Sequence, residues 1–175
     1  MWAAAGRSEE DAMKTSAARG DGAEQSRLDL ANRLFFRLYQ CANMLHKTGT
    51  RAIEADGLTT QQWAVLGALS RPDVAQGMSV GDLARYLMVS RQNLAGLLAR
   101  MERDGHVAVA TDPRDRRARL ASLTPRGRHV WTRQAQPKIR AYYDAALDGF
   151  SVNDTAHMLH YLLKMLGNMK RLDEG

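Results

Sequence analysis

The sequence predicts a mainly α-helical fold carrying one small β-hairpin, and three observations predict it. Apolar residues recur every three or four positions through long stretches at both ends of the chain. Two shorter helical patterns stand about three residues apart in its middle, and two segments of alternating polarity follow them directly. With 175 residues, 45% of them apolar, the chain can close one core, or at most two, without a metal or disulfide staple. No apolar run approaches the roughly 20 residues of a membrane-spanning helix. The first 25 residues carry Arg7, Glu9, Glu10, Asp11, Lys14, Arg19, Asp21 and Glu24 without the apolar stretch of a secretory signal. Cys41 is the sole cysteine and cannot form an internal disulfide, so a cytoplasmic protein is expected.

Residues 1–26 are rich in Ala, Gly and charge without a period, which predicts a mobile tail in which Trp2 is either incidental or folded back onto the body. From Leu28 the stripe Leu30, Leu34, Leu38, Cys41 and Leu45, widened by Ala31, Phe35 and Ala42, predicts a long amphipathic helix to about Ala55. Gly57 ends it, and Thr59 caps a second helix through Leu69 that buries Trp63, Leu66 and Leu69. After breaks at Pro72 and Gly77, Ser79 caps a helix over Val80 to Leu87. Ser90 caps another to Asp104, with Leu94, Leu97, Leu98 and Met101 inward and Gly105 as its stop.

Val107 to Ala110 and Arg119 to Leu123 alternate as two strands around a polar turn at Pro113. Thr124, Pro125 and Gly127 open a further helix, which Pro137 should kink because its ring removes a backbone hydrogen bond. Ser151 with Asp154 resembles a capping box for a last helix to Leu172, built on Val152, Leu159, Leu162, Leu163, Leu166 and Met169. Neither terminal helix can bury so wide a stripe alone, so the two should pack together and against a second copy. Residues 27–57 and 125–175 are thus read as a helical dimerisation region and residues 58–124 as the intervening domain.

The charge is unevenly placed. Of a net +6, the stretch from Arg91 to Arg140 carries +8, with twelve basic residues against four acids, and everything else sums to −2. Eleven of the twelve are arginines, whose planar forks suit phosphate and guanine. Helix, turn, helix and an arginine-rich hairpin make a winged helix-turn-helix, in which one helix fits the major groove of double-stranded DNA while the hairpin reaches the flanking backbone or minor groove.

At residues 28 to 172 the chain resembles the MarR family of bacterial transcription regulators. The passages are LTTQQWAVLGAL (58 to 69), VGDLARYLMVSRQNLAGLLARMERDGHV (80 to 107) and DPRDRRARLASLTPRG (112 to 127), the last a wing pattern in which D-x-R precedes leucines and T-x-x-G. The resemblance implies a homodimer joined by its terminal helices. It also implies a ligand-responsive repressor that reads a pseudo-palindrome and is released by a small anionic aromatic effector, an aromatic carboxylate or its CoA thioester.

Ser90, Arg91, Gln92 and Asn93 open the second helix of the motif, where base edges are met. Arg suits guanine, Gln and Asn suit adenine, and Ser90 is also the cap. Arg100 further along is either a phosphate contact or a solvated residue. Arg114 matches, with Asp112, the family positions that shape the hairpin, and Arg116 and Arg117 occupy its tip; one of these arginines is expected in the minor groove. The effector candidates implied by the resemblance lie on the first two helices: Arg37 for an anion, Asn43 or His46 for a polar group, and Trp63 for stacking. Trp63 reads equally as core and Arg37 as solvated.

Other readings are a winged-helix module that binds an acidic protein partner, a redox sensor using Cys41, and a zinc sensor using His157 and His160 with Asp154. No Gly-rich phosphate loop, G-x-S-x-G or H-E-x-x-H is present, so neither an enzyme nor a cofactor is expected, and no metal site is assigned.

Overall fold

The computed structural model describes residues 6–113 and 115–173, and side chains from residue 24 onward. Its elements are α1 (Gly6–Ile53), α2 (Thr60–Leu69), β1 (Met78–Ser79), α3 (Val80–Leu87), α4 (Arg91–Arg103), β2 (Val107–Thr111), β3 (Arg119–Leu123), α5 (Pro125–His129), α6 (Gln136–Ala146) and α7 (Val152–Asp173). Two compact units divide the chain, one up to Thr48 and one from Gly49. Among the described residues no helix is long and apolar enough to cross a membrane.

α1 begins at Gly6, where the absence of an apolar period predicted a tail. Alanine, glutamate and lysine favour the helical backbone without any stripe, so propensity carries the helix back past the point where amphipathicity stops. Trp2 lies outside the described residues. Along the predicted stripe Leu30, Leu34, Phe35 and Leu45 are exposed in the single chain. Cys41, which belongs to the same stripe, is exposed with them in the single chain.

The core lies in the second unit. Val65 and Leu66 of α2, Leu83 of α3, Leu94, Leu98 and Met101 of α4, Val107 of β2 and Ala121 of β3 are almost completely buried together. The caps read from the sequence are in place. The Thr59 hydroxyl accepts from the Gln62 N–H while the Gln62 side chain accepts from the Thr59 N–H at 2.8 Å. Ser79 accepts from the Asp82 N–H at 3.0 Å and Ser90 from the Asn93 N–H at 3.2 Å. Ser151 and Asp154 bond each other reciprocally, which also holds the Asp154 carboxyl below its ordinary pKa. Each such cap satisfies helix N–H groups that would otherwise lack a partner.

The hairpin is a sheet of three strands, ordered β1-β3-β2 and antiparallel throughout. β2 and β3 pair from Val107 with Leu123 to Thr111 with Arg119. β1, which the sequence did not disclose, pairs Met78 with Ala121 and Ser79 with Leu120. Two residues are too few to show a period of two. Gly77 precedes it at φ +94°, where an added Cβ would stand 2.8 Å from the Ala121 carbonyl oxygen.

The base of the wing closes on one junction. The Thr124 hydroxyl donates to the Gly105 carbonyl at 2.6 Å and accepts from the Gly127 N–H at 2.9 Å, while the Thr124 N–H donates to the His106 carbonyl at 3.2 Å. Gly127 packs so close that a Cβ there would fall 1.9 Å from the His106 oxygen. Beyond α5 the chain widens into a π-helical turn, Val130–Ala135, in which the Gln136 N–H reaches five residues back to the Trp131 carbonyl. Pro137 then falls in the first turn of α6, so the widened turn absorbs the distortion that its ring imposes.

Two outcomes follow for stability. Gly127→Ala should destabilise by about 3 kcal/mol, because a backbone oxygen cannot yield as a flexible side chain does. Gly96→Ala, in α4 with only ordinary contact to Arg100, should instead gain roughly 0.5 to 1 kcal/mol. Urea midpoints of the two variants against wild type check both signs.

His106 gives a pH dependence. It is buried, and its Nδ1 has no partner among the described residues. Burial chiefly, then the charge of Arg126, lowers its pKa from the ordinary 6.5, with Asp104 opposing. The unfolded chain therefore takes up this proton first. Stability is complete above about pH 6.5 and falls as the pH drops below it. Urea midpoints measured between pH 7.5 and 5 should show this loss in wild type and a flatter profile in His106→Gln.

Candidate nucleic-acid interface

α4 is amphipathic in the sense a groove-reading helix requires. Leu94, Leu97, Leu98 and Met101 anchor one face in the core, and Arg91, Gln92, Asn93 and Arg100 stand exposed on the others. Since the Ser90 cap fixes the first turn, Arg91, Gln92 and Asn93 are carried at the helix's positive end. Polar side chains there can reach base edges, and the positive end of the helix dipole favours an anion.

The wing is oriented against this helix by side-chain bonds. Glu102 of α4 accepts the Val109 N–H of β2 at 3.1 Å, and Arg119 of β3 donates to the Val109 carbonyl at 3.1 Å. Both outward backbone groups of this edge-strand residue are thus satisfied, and the hairpin is tied to α4 through one of them. At the tip the Asp115 carboxylate accepts the Arg117 N–H at 2.9 Å, and the Asp112 N–H donates to the Ala118 carbonyl at 2.9 Å, closing the turn. Arg116 and Arg117 are exposed on it. Arg114 lies outside the described residues.

Helix and wing share a groove of about 570 Å³ whose lining includes Arg85, Arg91, Glu102, Arg117 and Arg119. The sequence reading brought Arg91 and Arg117 to one surface but missed Arg85 and Arg119, which sit on α3 and β3 where charge alone does not tell which side they take. Arg85 is paired with Asp82. Among the described residues the side chains of Arg91, Arg100, Arg116 and Arg117 form no ion pair, so their charge is open to an external phosphate.

The candidates for a small-molecule site are placed as follows. Arg37 is exposed on α1 and donates to the Gln40 side chain at 2.7 Å, and Asn43 and His46 are exposed on the same helix. Trp63 is half-buried against the core, with its ring edge-on to Tyr143 at 6.3 Å and its indole N–H buried without an acceptor among the described residues. His157 and His160 are exposed on α7, and among the described residues no three His, Cys, Asp or Glu side chains are grouped to hold a metal ion.

Comparison with known proteins agrees with this geometry. The family model described as the MarR family matches residues 56–118. The transcriptional activatory protein BadR of Rhodopseudomonas palustris is 76% identical over 155 residues, 89% of each chain. The homoprotocatechuate degradative operon repressor of Escherichia coli is 32% identical over 123 residues, 69% of this chain and 80% of its own. Among solved structures, CouR of Rhodococcus jostii RHA1 bound to p-coumaroyl-CoA superposes with a TM-score of 0.68 at 23% identity, over 75% of this chain and 90% of that one.

The two parts of the surface should fail differently. Arg116→Ala with Arg117→Ala removes charge, so it should weaken binding to any duplex and lower the salt slope by about one for each phosphate no longer neutralised. Asn93→Ala should cost roughly 1 to 3 kcal/mol at the specific site and leave random duplex almost unaffected. Fluorescence anisotropy on a selected and a scrambled duplex at several salt concentrations separates them.

Proposed function

Because the chain belongs to the MarR family of transcription regulators, we propose that it binds a pseudo-palindromic operator as a homodimer and leaves it when a small anionic aromatic compound, or its CoA thioester, binds. The observation that carries the DNA part is the groove in which Arg91 of the reading helix and Arg117 of the wing face one space. One element reads bases while the other holds backbone, which is the division of labour a winged helix needs.

The dimer rests on the uncovered apolar faces. Leu34, Phe35, Phe36 and Tyr39 of α1 are at least half exposed, and α7 exposes Leu159, Tyr161 and Leu163 to a similar degree. So many exposed large apolar residues on each of two helices are unusual on a monomer, and a second copy covers them. The effector class is supported by the names of two proteins to which this chain is similar, the homoprotocatechuate operon repressor and the p-coumaroyl-CoA complex. Arg37 is the proposed counter-charge for the anion and Asn43 and His46 the proposed polar partners on α1; Trp63 is the proposed stacking residue on α2. The sequence reading favoured repression. Of the relatives, the Escherichia coli protein is named a repressor and the Rhodopseudomonas palustris protein activatory. The same act of binding produces either sign, according to where the operator lies relative to the promoter.

Light scattering at micromolar concentration should give twice the 19.5 kDa of one chain. A gel-shift titration with benzoate, 4-hydroxycinnamate and their CoA thioesters should release wild-type protein from its operator, while Arg37→Ala should bind the operator and fail to release. Equal release from both proteins would remove Arg37 from the site. No release by any of these compounds would overturn the effector class.

A further inference from the structure

Among the described residues Met88 alone combines a side chain with a positive φ, +54° with ψ 42°, at the end of α3. The left-handed conformation crowds a Cβ against its own backbone, and glycine would occupy it freely. The turn itself needs no side chain there, because the Met88 N–H closes α3 through the Ala84 and Arg85 carbonyls. Nor does burial offset the strain: Met88 is 51% exposed, with Val89 41% and Tyr86 50% exposed beside it. A strained, solvent-facing methionine therefore marks a position whose side chain is used outside the fold.

Its place indicates the use. Met88 immediately precedes Val89 and Ser90, the cap of the reading helix, and lines one concavity with Arg85 and Arg91. Within a surface of arginines suited to phosphate, this is an apolar patch, and the apolar feature of a major groove is the thymine C5-methyl group. An unbranched thioether adapts to such a surface better than a branched side chain. We propose that Met88, supported by Val89, is a specificity-determining residue that packs on a thymine methyl beside the bases read by α4. The inference rests on the DNA-binding reading above.

The test uses the full-length protein and the duplex it selects from a randomised pool, with copies in which single thymines are replaced by deoxyuridine, which removes the methyl alone. Wild type should lose about 4-fold in affinity at one such thymine, the worth of one buried methyl. Met88→Gly should bind the parent duplex about 5- to 10-fold more weakly, with an unchanged salt slope and no response to that deoxyuridine. The same variant, free in solution, should melt about 2 to 4 °C higher as the strain is relieved. Met88→Ala, which keeps the strain and loses the side chain, should show the weaker binding without the gain in melting temperature.

Met88→Gly binding as tightly as wild type, or a wild type indifferent to every deoxyuridine, would overturn the proposal while leaving the DNA-binding reading intact. A wild type that selects no duplex would overturn both. Lys170 and Asp173 of α7 line the same concavity, so a variant whose weaker affinity tracks a missing dimer mass would assign Met88 to packing and overturn the proposal as well.

Discussion

The structure depends on the close approach of the Gly127 backbone to the His106 carbonyl, over which the Thr124 hydroxyl donates to the Gly105 and His106 carbonyls while accepting from the Gly127 N–H. At that point α4 has just ended, β2 is about to begin, β3 has just finished and α5 is starting. One hydroxyl satisfies the end of one helix and the beginning of another, so the wing leaves the body in a direction fixed by α4. The Met101 carbonyl accepts the His106 N–H at 2.8 Å and Gly105 turns the chain at φ +73°, which leaves the His106 oxygen free to receive Thr124. A methyl group at residue 127 would push these four elements apart. The T-x-x-G of the sequence is thus a packing constraint as much as a cap.

Much of this was legible because the signals are local. Capping residues name helix starts by their own hydrogen bonds, so Thr59, Ser79, Ser90, Thr124 and Ser151 could be read without knowing the fold, and Arg119 to Leu123 alternates as a strand should. What escaped depends on distant partners or on sums of weak preferences. β1 exists because Met78 and Ser79 meet β3 more than forty residues later, and two residues carry no period of their own. The π-helical turn follows from fitting Pro137 into a helix already held by the core, where the sequence promised only a kink. The early start of α1 sums small helix propensities, which a search for an apolar stripe does not detect.

The site divides along the same line. The exposed positions of Ser90, Arg91, Gln92 and Asn93 at the start of α4 were legible because helix N-termini are, and those of Arg116 and Arg117 because a charge cluster at a polar turn is. Arg85 and Arg119 were not, since their place in the groove depends on how α3 and β3 turn against α4. Trp63 was left between core and ligand contact, and a half-buried ring whose indole N–H has no acceptor among the described residues fits each. Cys41 is exposed in the single chain for a plain reason: an apolar stripe says which face seeks burial, but not that the same chain supplies the cover.

That distinction bears on how binding would be switched in the proposed dimer. Leu83, Leu94, Met101 and Val107 tie α3, α4 and the sheet into one close-packed core, so the DNA-reading surface has few ways to deform and many to move as a body. Two reading helices enter successive major grooves on one face only when they stand roughly 34 Å apart, one turn of duplex. A ligand need not remodel either helix; it need only prefer another separation. A preference of about 100-fold between the two separations corresponds to roughly 2.7 kcal/mol, sufficient to empty an operator held near its midpoint. Stabilisation of that size is within reach of one charged hydrogen bond and a stacked ring. It is far less than breaking the winged domain's core would cost, so the sensible place for a switch is the support of that domain and not its interior.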